Sequence, residues 1–468
     1  MSTTKTKVSL TEGPIFTKMF LYALPIMLTG IFQLLYNIAD NIIVGQFSGN
    51  PLALAAVGST SSLGNLIINL LMGISGGAGV VIAQSFGAKE FEKTSRAVHT
   101  ALIFALVGGI FFSFVGYTLT RPALELMGTK DEIMEWACLY LHIICIGIPA
   151  SAVYNFGAAI LRSVGDSKTP LFVLSSSGIV NVLLNLVFVL GFGMSVDGVA
   201  IATIIAQYIS ATTVVIILFK RKDTPYALGF SNFKVDFSLL KRILRLGLPA
   251  GIQASLFSIS NIILTSGVNT LPTTDISAKT IAINIEGIVY SAMNSYLHTS
   301  MTFTGQNYGA KNTERIKKSI LYSFIQVTVI GIVGGMILIL FARELAGMYV
   351  AADDPNRAEV IDATVELMTF MLSTYFLCGI MDSLSGSLRG IGYSLAPMLM
   401  SIGCICVLRS LWVIFIFPLP SFNSLVGIYT IYPLSWLSAS ILMAITLIFA
   451  LKKIKKKFDS PETKTISE

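Results

Sequence analysis

Charged residues are scarce in this sequence. Asp, Glu, Lys and Arg together make up only 12% of its 468 residues, whereas hydrophobic residues make up 54% and the mean hydropathy is +0.77. A water-soluble domain usually carries about 25% charged residues, so the composition excludes an ordinary soluble protein. The sequence instead predicts an integral membrane protein.

Residues that build metal centres or disulfide frameworks are also few. The sequence has five cysteines, all inside hydrophobic runs and none in a C-x-x-C spacing, and three histidines on three different runs. They are Cys138, Cys145, Cys378, Cys404, Cys406, His99, His142 and His298. This pattern argues against disulfides, structural zinc and a nucleophile–base cluster. We therefore expect no cofactor and no enzymatic activity.

Hydrophobic runs long enough to cross a bilayer occur twelve times. A spanning helix needs about 20 mostly apolar residues, and a helix is the form in which one segment satisfies its own backbone in lipid. The runs lie at approximately 16–44, 53–83, 97–119, 133–157, 168–192, 197–219, 243–269, 276–303, 318–341, 358–387, 394–418 and 427–451. The sequence therefore predicts an all-α integral membrane protein with twelve transmembrane helices.

An internal repeat divides the chain. A six-residue motif at 84–89 recurs 222 positions later at 306–311, and two further motifs recur in the same order at offsets of 224 and 227 residues. They are Leu24-Pro25 with Leu248-Pro249, and Leu161-Arg162-x-x-Gly165 with Leu388-Arg389-x-x-Gly392. Because six runs fall in each half, we predict two homologous six-helix bundles arranged as parallel repeats. Gly87 and Gly309 are predicted to act as C-cap residues.

Basic residues predict the orientation, because Lys and Arg stay on the cytoplasmic side in short loops. If the N terminus is cytoplasmic, 26 of the 32 basic residues lie on inner segments, five on outer segments and one, Arg409, inside a span. Both termini are therefore predicted to be cytoplasmic. The net charge of +7 then reflects this bias and an attraction to anionic lipid, and not nucleic-acid binding. The predicted parts are a bundle at 1–219, a basic linker at 220–242, a bundle at 243–451 and a basic tail at 452–468.

A carboxylate stands near the outer end of the first span. Asp40 lies about five residues from that end, or roughly 7–8 Å, and Asn185 and Thr203 lie at comparable depths in the fifth and sixth spans. A lone carboxylate among amide and hydroxyl groups binds a proton, or Na⁺ through oxygen ligands. Alternatively, Asp40 caps the helix end or faces interfacial water. Leu264 is its counterpart in the second half, so only the first half has this site.

Three charged residues fall inside spans of the second half. Glu286 and Arg409 lie about ten and about nine residues from the outer surface, so their depths match. An ion pair between them would reduce the penalty of burying both, and would either line a substrate cavity or hold helices together. Asp382 lies nearer the cytoplasmic end. We predict that Glu286 and Asp382 shape a substrate cavity that prefers positively charged aromatic compounds, with Glu286 held by Arg409 in at least one state of the protein.

Motifs in both halves resemble those of the multidrug and toxic compound extrusion (MATE) family, over essentially the full length of the chain. They are the Leu-Pro starts at Pro25 and Pro249, the sequence from Tyr36 to Asp40 followed by Val44-Gly45, the turns at Gln84 and Gln306, and Leu161-Arg162 with Leu388-Arg389. Within the family, the chain looks closest to the MepA-like and DinF-like bacterial branches.

The resemblance implies a secondary active antiporter of the bacterial inner membrane that exports cationic, amphipathic drugs in exchange for H⁺ or Na⁺. It also implies two bundles that rock between outward- and inward-facing states, a monomer in the lipid bilayer, and no cofactor besides the coupling ion. The predicted cation-coupling residues are Asp40, Asn181, Asn185, Thr203, Tyr36 and Asn37. Among them, Asp40, Asn181 and Thr203 match family positions and would hold Na⁺, whereas Asn185 stands where many relatives have a second aspartate.

Other functions remain open at this point. A lipid-linked oligosaccharide flippase of the same superfamily is the nearest alternative, although such cavities are rich in arginine and Arg409 is the only basic residue deep in a span. A membrane-embedded enzyme, such as a transferase, would need a catalytic cluster, and no residues are spaced for one. A passive channel is disfavoured because two packed six-helix repeats suit rocking around a central cavity.

Overall fold

The computed structural model describes residues 10–47, 53–229 and 234–460, and their only regular structure is helical. The first half contains α1 (Ile15–Phe47), α2 (Ala53–Gly87), α3 (Phe91–Leu126), α4 (Asp131–Ser163), α5 (Lys168–Leu186), a π-helical turn (Val187–Gly191) and α6 (Val196–Lys220). The second half contains α7 (Phe237–Val268), α8 (Thr273–Gly309), α9 (Thr313–Leu340), α10 (Ala342–Gly347), α11 (Arg357–Thr374), α12 (Phe376–Gly390), α13 (Leu395–Ser401), a π-helical turn (Ile402–Val407), α14 (Leu408–Leu411), another π-helical turn (Trp412–Ile416), α15 (Leu425–Tyr429) and α16 (Ile431–Phe458).

The helices are long enough for a multi-pass membrane protein. Within the described ranges, ten spans are long and apolar enough to cross a bilayer, and α11 with α12, joined at a 42° bend, makes an eleventh. The twelfth long helix is α8, which has 37 residues but is more polar because serine, threonine and asparagine recur along it. The predicted all-α membrane fold with two six-helix halves is confirmed.

The repeated six-residue motif forms the same turn in both halves. The helices α2 and α8 end at Gly87 and Gly309, but the left-handed residues of the two turns are Lys89, with φ 58°, and Lys311, with φ 54°. In each turn the N–H group after the lysine donates to the carbonyl oxygen five residues earlier, at 3.0 Å. The prediction that the glycines act as C-caps is therefore wrong, because the helix continues through each glycine and turns at the lysine.

A second repeated turn follows α4 and α12. Gly165 and Gly392 adopt φ values of 95° and 97°, a region that a Cβ atom strongly disfavours. Their N–H groups donate to the carbonyl oxygens of Arg162 and Arg389, at 2.9 Å in both halves. The two halves thus share local backbone conformation as well as sequence.

The residues pack into two compact units. The first unit runs from Leu28 to Ser255, and the second combines Leu10 to Met27 with the chain from Leu256 onward, so the chain changes unit inside α1 and inside α7. These units follow packing, whereas the predicted boundaries at 219, 242 and 451 follow the repeat and stay a prediction. Tyr22 of α1 illustrates the packing within the second unit, since its hydroxyl donates to Thr302 Oγ1 of α8 at 3.2 Å.

Glycines let α2 and α7 approach closely inside the first unit. Gly73 and Gly77 of α2 face Gly251 and Gly247 of α7, and each pair has the small-x-x-x-small spacing of close helix contacts. A Cβ atom on Gly77 would lie 2.5 Å from the backbone nitrogen of Gly247. A Cβ on Gly251 would lie 2.7 Å from the carbonyl oxygen of Leu70. No larger residue fits this contact, which we call the glycine seam, without moving a helix.

The segment after α6 is held in place by a partly buried carboxylate. Arg221 donates from Nη2 to Asp166 Oδ2 at 2.6 Å, and Thr169 donates to the same carboxylate from its backbone nitrogen at 3.0 Å and its hydroxyl at 2.7 Å. Burial disfavours the charged form of Asp166, but the hydrogen bonds from Thr169 and then Arg221 outweigh this and hold the pKa of Asp166 below its usual value. This ion pair ties the turn before α5 to the end of α6.

Candidate functional site

Asp40 of α1 begins a hydrogen-bonded chain that joins three helices of the first unit. Asn185 of α5 donates from Nδ2 to Asp40 Oδ1 at 2.5 Å. The same nitrogen lies 3.5 Å from Asn181 Oδ1, and Asn181 Nδ2 donates to Thr203 Oγ1 of α6 at 3.4 Å. Thr203 in turn donates to the carbonyl oxygen of Val199 at 2.9 Å. Four of the six predicted cation-coupling residues therefore lie in one network.

The local structure of α5 explains why its two asparagines meet α1 and α6. Asn181 and Asn185 are one helical turn apart and so share a face. Both are almost fully buried. The π-helical turn at Val187–Gly191 begins two residues after Asn185. Such turns are rare and are frequently found at functional sites.

One oxygen of this network has no partner. Asn185 is 0% exposed, and no described residue donates a hydrogen bond to its Oδ1 atom. A buried acceptor without a donor costs about 1–3 kcal/mol, so a proton donor or a cation at this atom would be stabilising. Carboxylate, amide and hydroxyl oxygens are the ligands of hard cations. The described part of the chain places no three His, Cys, Asp or Glu residues together, and Asp40 supplies the single carboxylate.

The other two predicted residues of the first unit lie differently. The ring of Tyr36 packs on α5, where a Cβ atom on Gly178 would lie 3.0 Å from it. Asn37 is exposed, and among the described residues no hydrogen bond joins it to the Asp40 network. Tyr36 therefore borders the network through its ring, whereas Asn37 lies outside it. Their roles in cation coupling stay a prediction.

Arg409 of α14 is buried in the second unit against aromatic rings. Its side chain is 4% exposed, and its guanidinium carbon lies 3.8 Å from the ring centroid of Tyr432 and 5.8 Å from that of Trp436, both in α16. Its Nε atom donates to Ser435 Oγ at 3.1 Å. A guanidinium over an aromatic face at this distance makes a cation–π interaction. Sequence reasoning missed this partner, although Tyr429, Tyr432 and Trp436 recur at helical spacing.

Glu286 of α8 does not pair with Arg409 in this conformation. Over the described ranges, no ion pair or hydrogen bond reaches the Glu286 side chain, which is half-buried. Its carboxylate is within electrostatic reach of the hydroxyls of Tyr375, Tyr429 and Tyr432. Matching depth was not enough to bring the pair together, because Arg409 points toward α16. A pair in another state of the protein stays a prediction.

Asp382 of α12 has an amide partner and lies beside a hydroxyl cluster. Asn294 of α8 donates from Nδ2 to Asp382 Oδ2 at 3.0 Å. The next residue, Ser383, places its Oγ atom 2.7 Å from that of Ser323 and 3.2 Å from that of Ser300, which lie on α9 and α8. The repeat contained a signal for this cluster, because its counterparts in the first half are apolar. They are Ala78, Ala101 and Phe156.

Comparison with known proteins agrees with this architecture. A sequence model of the MatE family matches residues 25–187 and 249–413, once in each half of the chain. The probable multidrug resistance protein YoeA of Bacillus subtilis is 29% identical over 400 residues, which are 83% of this chain and 84% of the relative. The probable multidrug resistance protein NorM of Thermotoga maritima is 26% identical over 393 residues, 81% of each chain.

Solved structures share the fold. A structure described as the outward-facing conformation of a multidrug resistance MATE family transporter of the MOP superfamily matches with a TM-score of 0.88 at 24% identity. The match covers 97% of this chain and 100% of the other. Because the family model covers most of the sequence and matches it twice in register with the repeat, the chain belongs to the MATE family of multidrug efflux transporters.

Proposed function

We propose that this protein is a secondary active antiporter that exports cationic, amphipathic compounds in exchange for H⁺ or Na⁺, by alternating access of its two bundles. It works in the bacterial inner membrane with both termini in the cytoplasm, as a monomer and without a cofactor. The observation that carries the proposal is the buried network of Asp40, Asn185, Asn181 and Thr203 around a single carboxylate.

The network supports reversible cation binding. The Asp40 carboxylate is bonded to a neutral amide and has no basic partner within the described residues, so a cation that neutralises it is not in competition with a lysine or arginine. If Asp40 is protonated, its O–H group would find an acceptor in the unsatisfied Asn185 Oδ1. If Na⁺ binds instead, Asp40, Asn181 and Thr203 would hold it, and Asn185 Oδ1 adds a fourth oxygen. The proton on Asp40 and the Na⁺ ion would thus each give Asn185 Oδ1 the partner that it lacks.

The second unit supports a preference for cations. Asp382 and Glu286 are acidic groups inside it, and the guanidinium of Arg409 is already covered by aromatic rings. Acidic and aromatic side chains attract organic cations through Coulomb and cation–π interactions. The names of the matched relatives favour multidrug export over the flippase alternative. The carboxylates of Asp382 and Glu286 would also repel the negatively charged phosphate of a lipid-linked oligosaccharide.

Transport in proteoliposomes tests the proposal. Purified protein is reconstituted, pH and Na⁺ gradients are imposed separately, and ethidium serves as the reporter. We expect one gradient, or both, to drive ethidium against its own concentration gradient. Ethidium that only equilibrates, with neither gradient having an effect, would contradict antiport. Uptake of a lipid-linked oligosaccharide under the same conditions would favour the flippase.

A further inference from the structure

The aromatic rings around Arg409 form a continuous cluster in the second unit. Tyr429 and Tyr432 stack with their centroids 4.9 Å apart, and Trp436 meets Tyr432 at 5.4 Å and 80°. Tyr375, at the junction of α11 and α12, lies 5.4 Å from Trp436. All but Tyr432 are buried. We call these four residues the aromatic cage.

The cage has the features of a binding site for an organic cation. Faces of tyrosine and tryptophan attract cations, and they do so more strongly where water is excluded. Ser435 adds one hydrogen-bond acceptor, which orients a planar N–H donor against the Tyr432 ring. The occupant in this structure is the protein's own guanidinium, that of Arg409. The cage therefore already holds a cation, and the cation is tethered to the chain.

Glu286 offers Arg409 an alternative position. It has no ion-pair partner in the described part of the chain, and both it and Arg409 act electrostatically on Tyr429 and Tyr432. The two charges therefore lie near the same rings. Pairing with a carboxylate compensates much of the penalty that Arg409 meets on leaving the rings. The π-helical turns on both sides of α14 supply a backbone segment that adjusts more readily than a regular helix.

We propose that the aromatic cage binds the planar guanidinium or amidinium head group of a transported cation, that Arg409 occupies the cage when no such cation is bound, and that the incoming cation displaces Arg409 toward Glu286. This inference rests on the proposed preference for cationic substrates. It does not depend on which ion drives transport. Arg409 thus competes with the transported cation for the aromatic cage.

Equilibrium binding to the purified protein in nanodiscs tests the inference without any gradient. The probe is phenylguanidine, a cation at neutral pH, and phenylurea is its neutral control of nearly the same shape. Arg409→Met removes the competitor, so phenylguanidine should bind at least about tenfold more tightly if the cage is free less than a tenth of the time. Phenylurea binding should stay unchanged. Tyr432→Leu should weaken phenylguanidine binding in both backgrounds.

The double-variant comparison separates displacement from simple attraction. Glu286→Gln should weaken phenylguanidine binding when Arg409 is present, because the displaced guanidinium loses its partner. In the Arg409→Met background, Glu286→Gln should have a smaller effect, because only its direct attraction for the probe is then lost. An equal effect in both backgrounds, or weaker binding in a well-folded Arg409→Met protein, would overturn the proposal and leave Arg409 as a packing residue.

Two further variants keep the test decisive. If Arg409→Met does not fold, Arg409→Lys replaces it, because a lysine ammonium covers the rings less well than a guanidinium. Arg409→Lys should still bind phenylguanidine more tightly than the wild type does. Equal or weaker binding by this variant contradicts the inference. Asp40→Asn should bind the probe like the wild type. If the wild-type protein binds the probe but neither gradient drives transport, the proposed antiport mechanism fails while the cage remains in place.

Discussion

The two units carry polar sites at matching places in the repeat but of opposite charge. Aligning the repeated motifs places Arg409 one position after the counterpart of Asn181. Gly198 and Gly427 stand near the start of the last span of each half, and aligning them places Tyr432 at the counterpart of Thr203. One unit surrounds a carboxylate with amides and a hydroxyl, whereas the other surrounds a guanidinium with aromatic rings.

This difference shows which properties of the repeat are structural and which are free to diverge. Both halves keep the same turns, and a π-helical turn follows the polar positions in each, at Val187–Gly191 and at Trp412–Ile416. The side chains on that shared backbone differ in charge and size. A carboxylate surrounded by neutral oxygen ligands suits a proton or a small cation, and an aromatic site suits an organic cation. The comparison therefore favours a division of labour between ion coupling and substrate binding.

Removing the carboxylate of the first unit should have the largest effect. Asp40→Asn is expected to abolish coupled efflux while leaving the protein folded and inserted, because a neutral amide does not change charge when a cation binds. Gradient-driven ethidium export in proteoliposomes measures this. Asp131→Asn, an exposed carboxylate in the first turn of α4, is the matched control. Unchanged export by Asp40→Asn would remove the coupling role from this residue.

The glycine seam of the first unit should also distinguish the halves. Gly77→Ala places a methyl group into the α7 backbone and should lower stability by about 1–3 kcal/mol. Thr299 is its counterpart in the second unit, and its hydroxyl bonds within its own helix, to Ser295 O at 2.9 Å. Thr299→Ala should therefore be milder. Thermal unfolding of both variants in detergent decides this, and equal losses would show that the seam is no tighter than its counterpart.

A second carboxylate should sharpen the first site. Asn185→Asp places a second carboxylate where the Asn185 amide now lies, and Asn185 Nδ2 is 2.5 Å from Asp40 Oδ1. Two carboxylates so close act as one coupled unit. We expect a higher affinity for the coupling cation or a shifted pH optimum of export. Na⁺ and pH profiles of ethidium transport provide the measurement. Profiles identical to those of the wild type would mean that the two residues do not share a site.

The sequence predicted the fold and the members of the Asp40 network for the same reason. Span length, helical period and depth below the surface determine which side chains reach a common level, and Asp40, Asn185 and Thr203 do meet. Depth alone does not determine which way a side chain points around its helix. Glu286 and Arg409 have matching depths, yet Arg409 points toward Tyr432.

Other features were out of reach because they depend on packing between distant segments. The exchange of unit inside α1 and α7 rests on contacts such as Tyr22 with Thr302, 280 residues apart. The left-handed turns at Lys89 and Lys311 place a long side chain where glycine is expected. Each π-helical turn in the described ranges adds a residue to its helical turn, so a regular helical period misplaces the side chains beyond it.

Glu286 should distinguish substrates by charge. Glu286→Gln is expected to weaken resistance to dications more than to monocations, because the Coulomb attraction of a carboxylate doubles with the charge of the ligand. The fold-change in resistance to a dication should then be roughly the square of the fold-change for a monocation. Growth of an expressing strain in paired mono- and bis-cationic compounds measures this. A charge-swapped double variant, Glu286→Arg with Arg409→Glu, is the control. If it restores both expression and transport, or if Glu286→Gln lowers both resistances equally, the acid is structural.

The smallest effect on stability is expected at the ion pair between Asp166 and Arg221. The second unit does not repeat this ion pair, because the counterpart of Asp166 there is Tyr393. Because the pair is partly exposed, Asp166→Asn should lower the stability of the folded protein by only about 0.5–1.5 kcal/mol near neutral pH. Since folding lowers the pKa of Asp166, its contribution is present above the ordinary carboxylate pKa of about 4 and disappears as the pH falls through the lower folded value. The difference in thermal unfolding between wild type and Asp166→Asn should therefore be largest near pH 7 and shrink toward pH 3. Asp223 is an exposed carboxylate on the same segment, so Asp223→Asn should show no such pH-dependent difference. If the difference in thermal unfolding between the wild type and Asp166→Asn does not change with pH, the ionised form of Asp166 contributes nothing to stability.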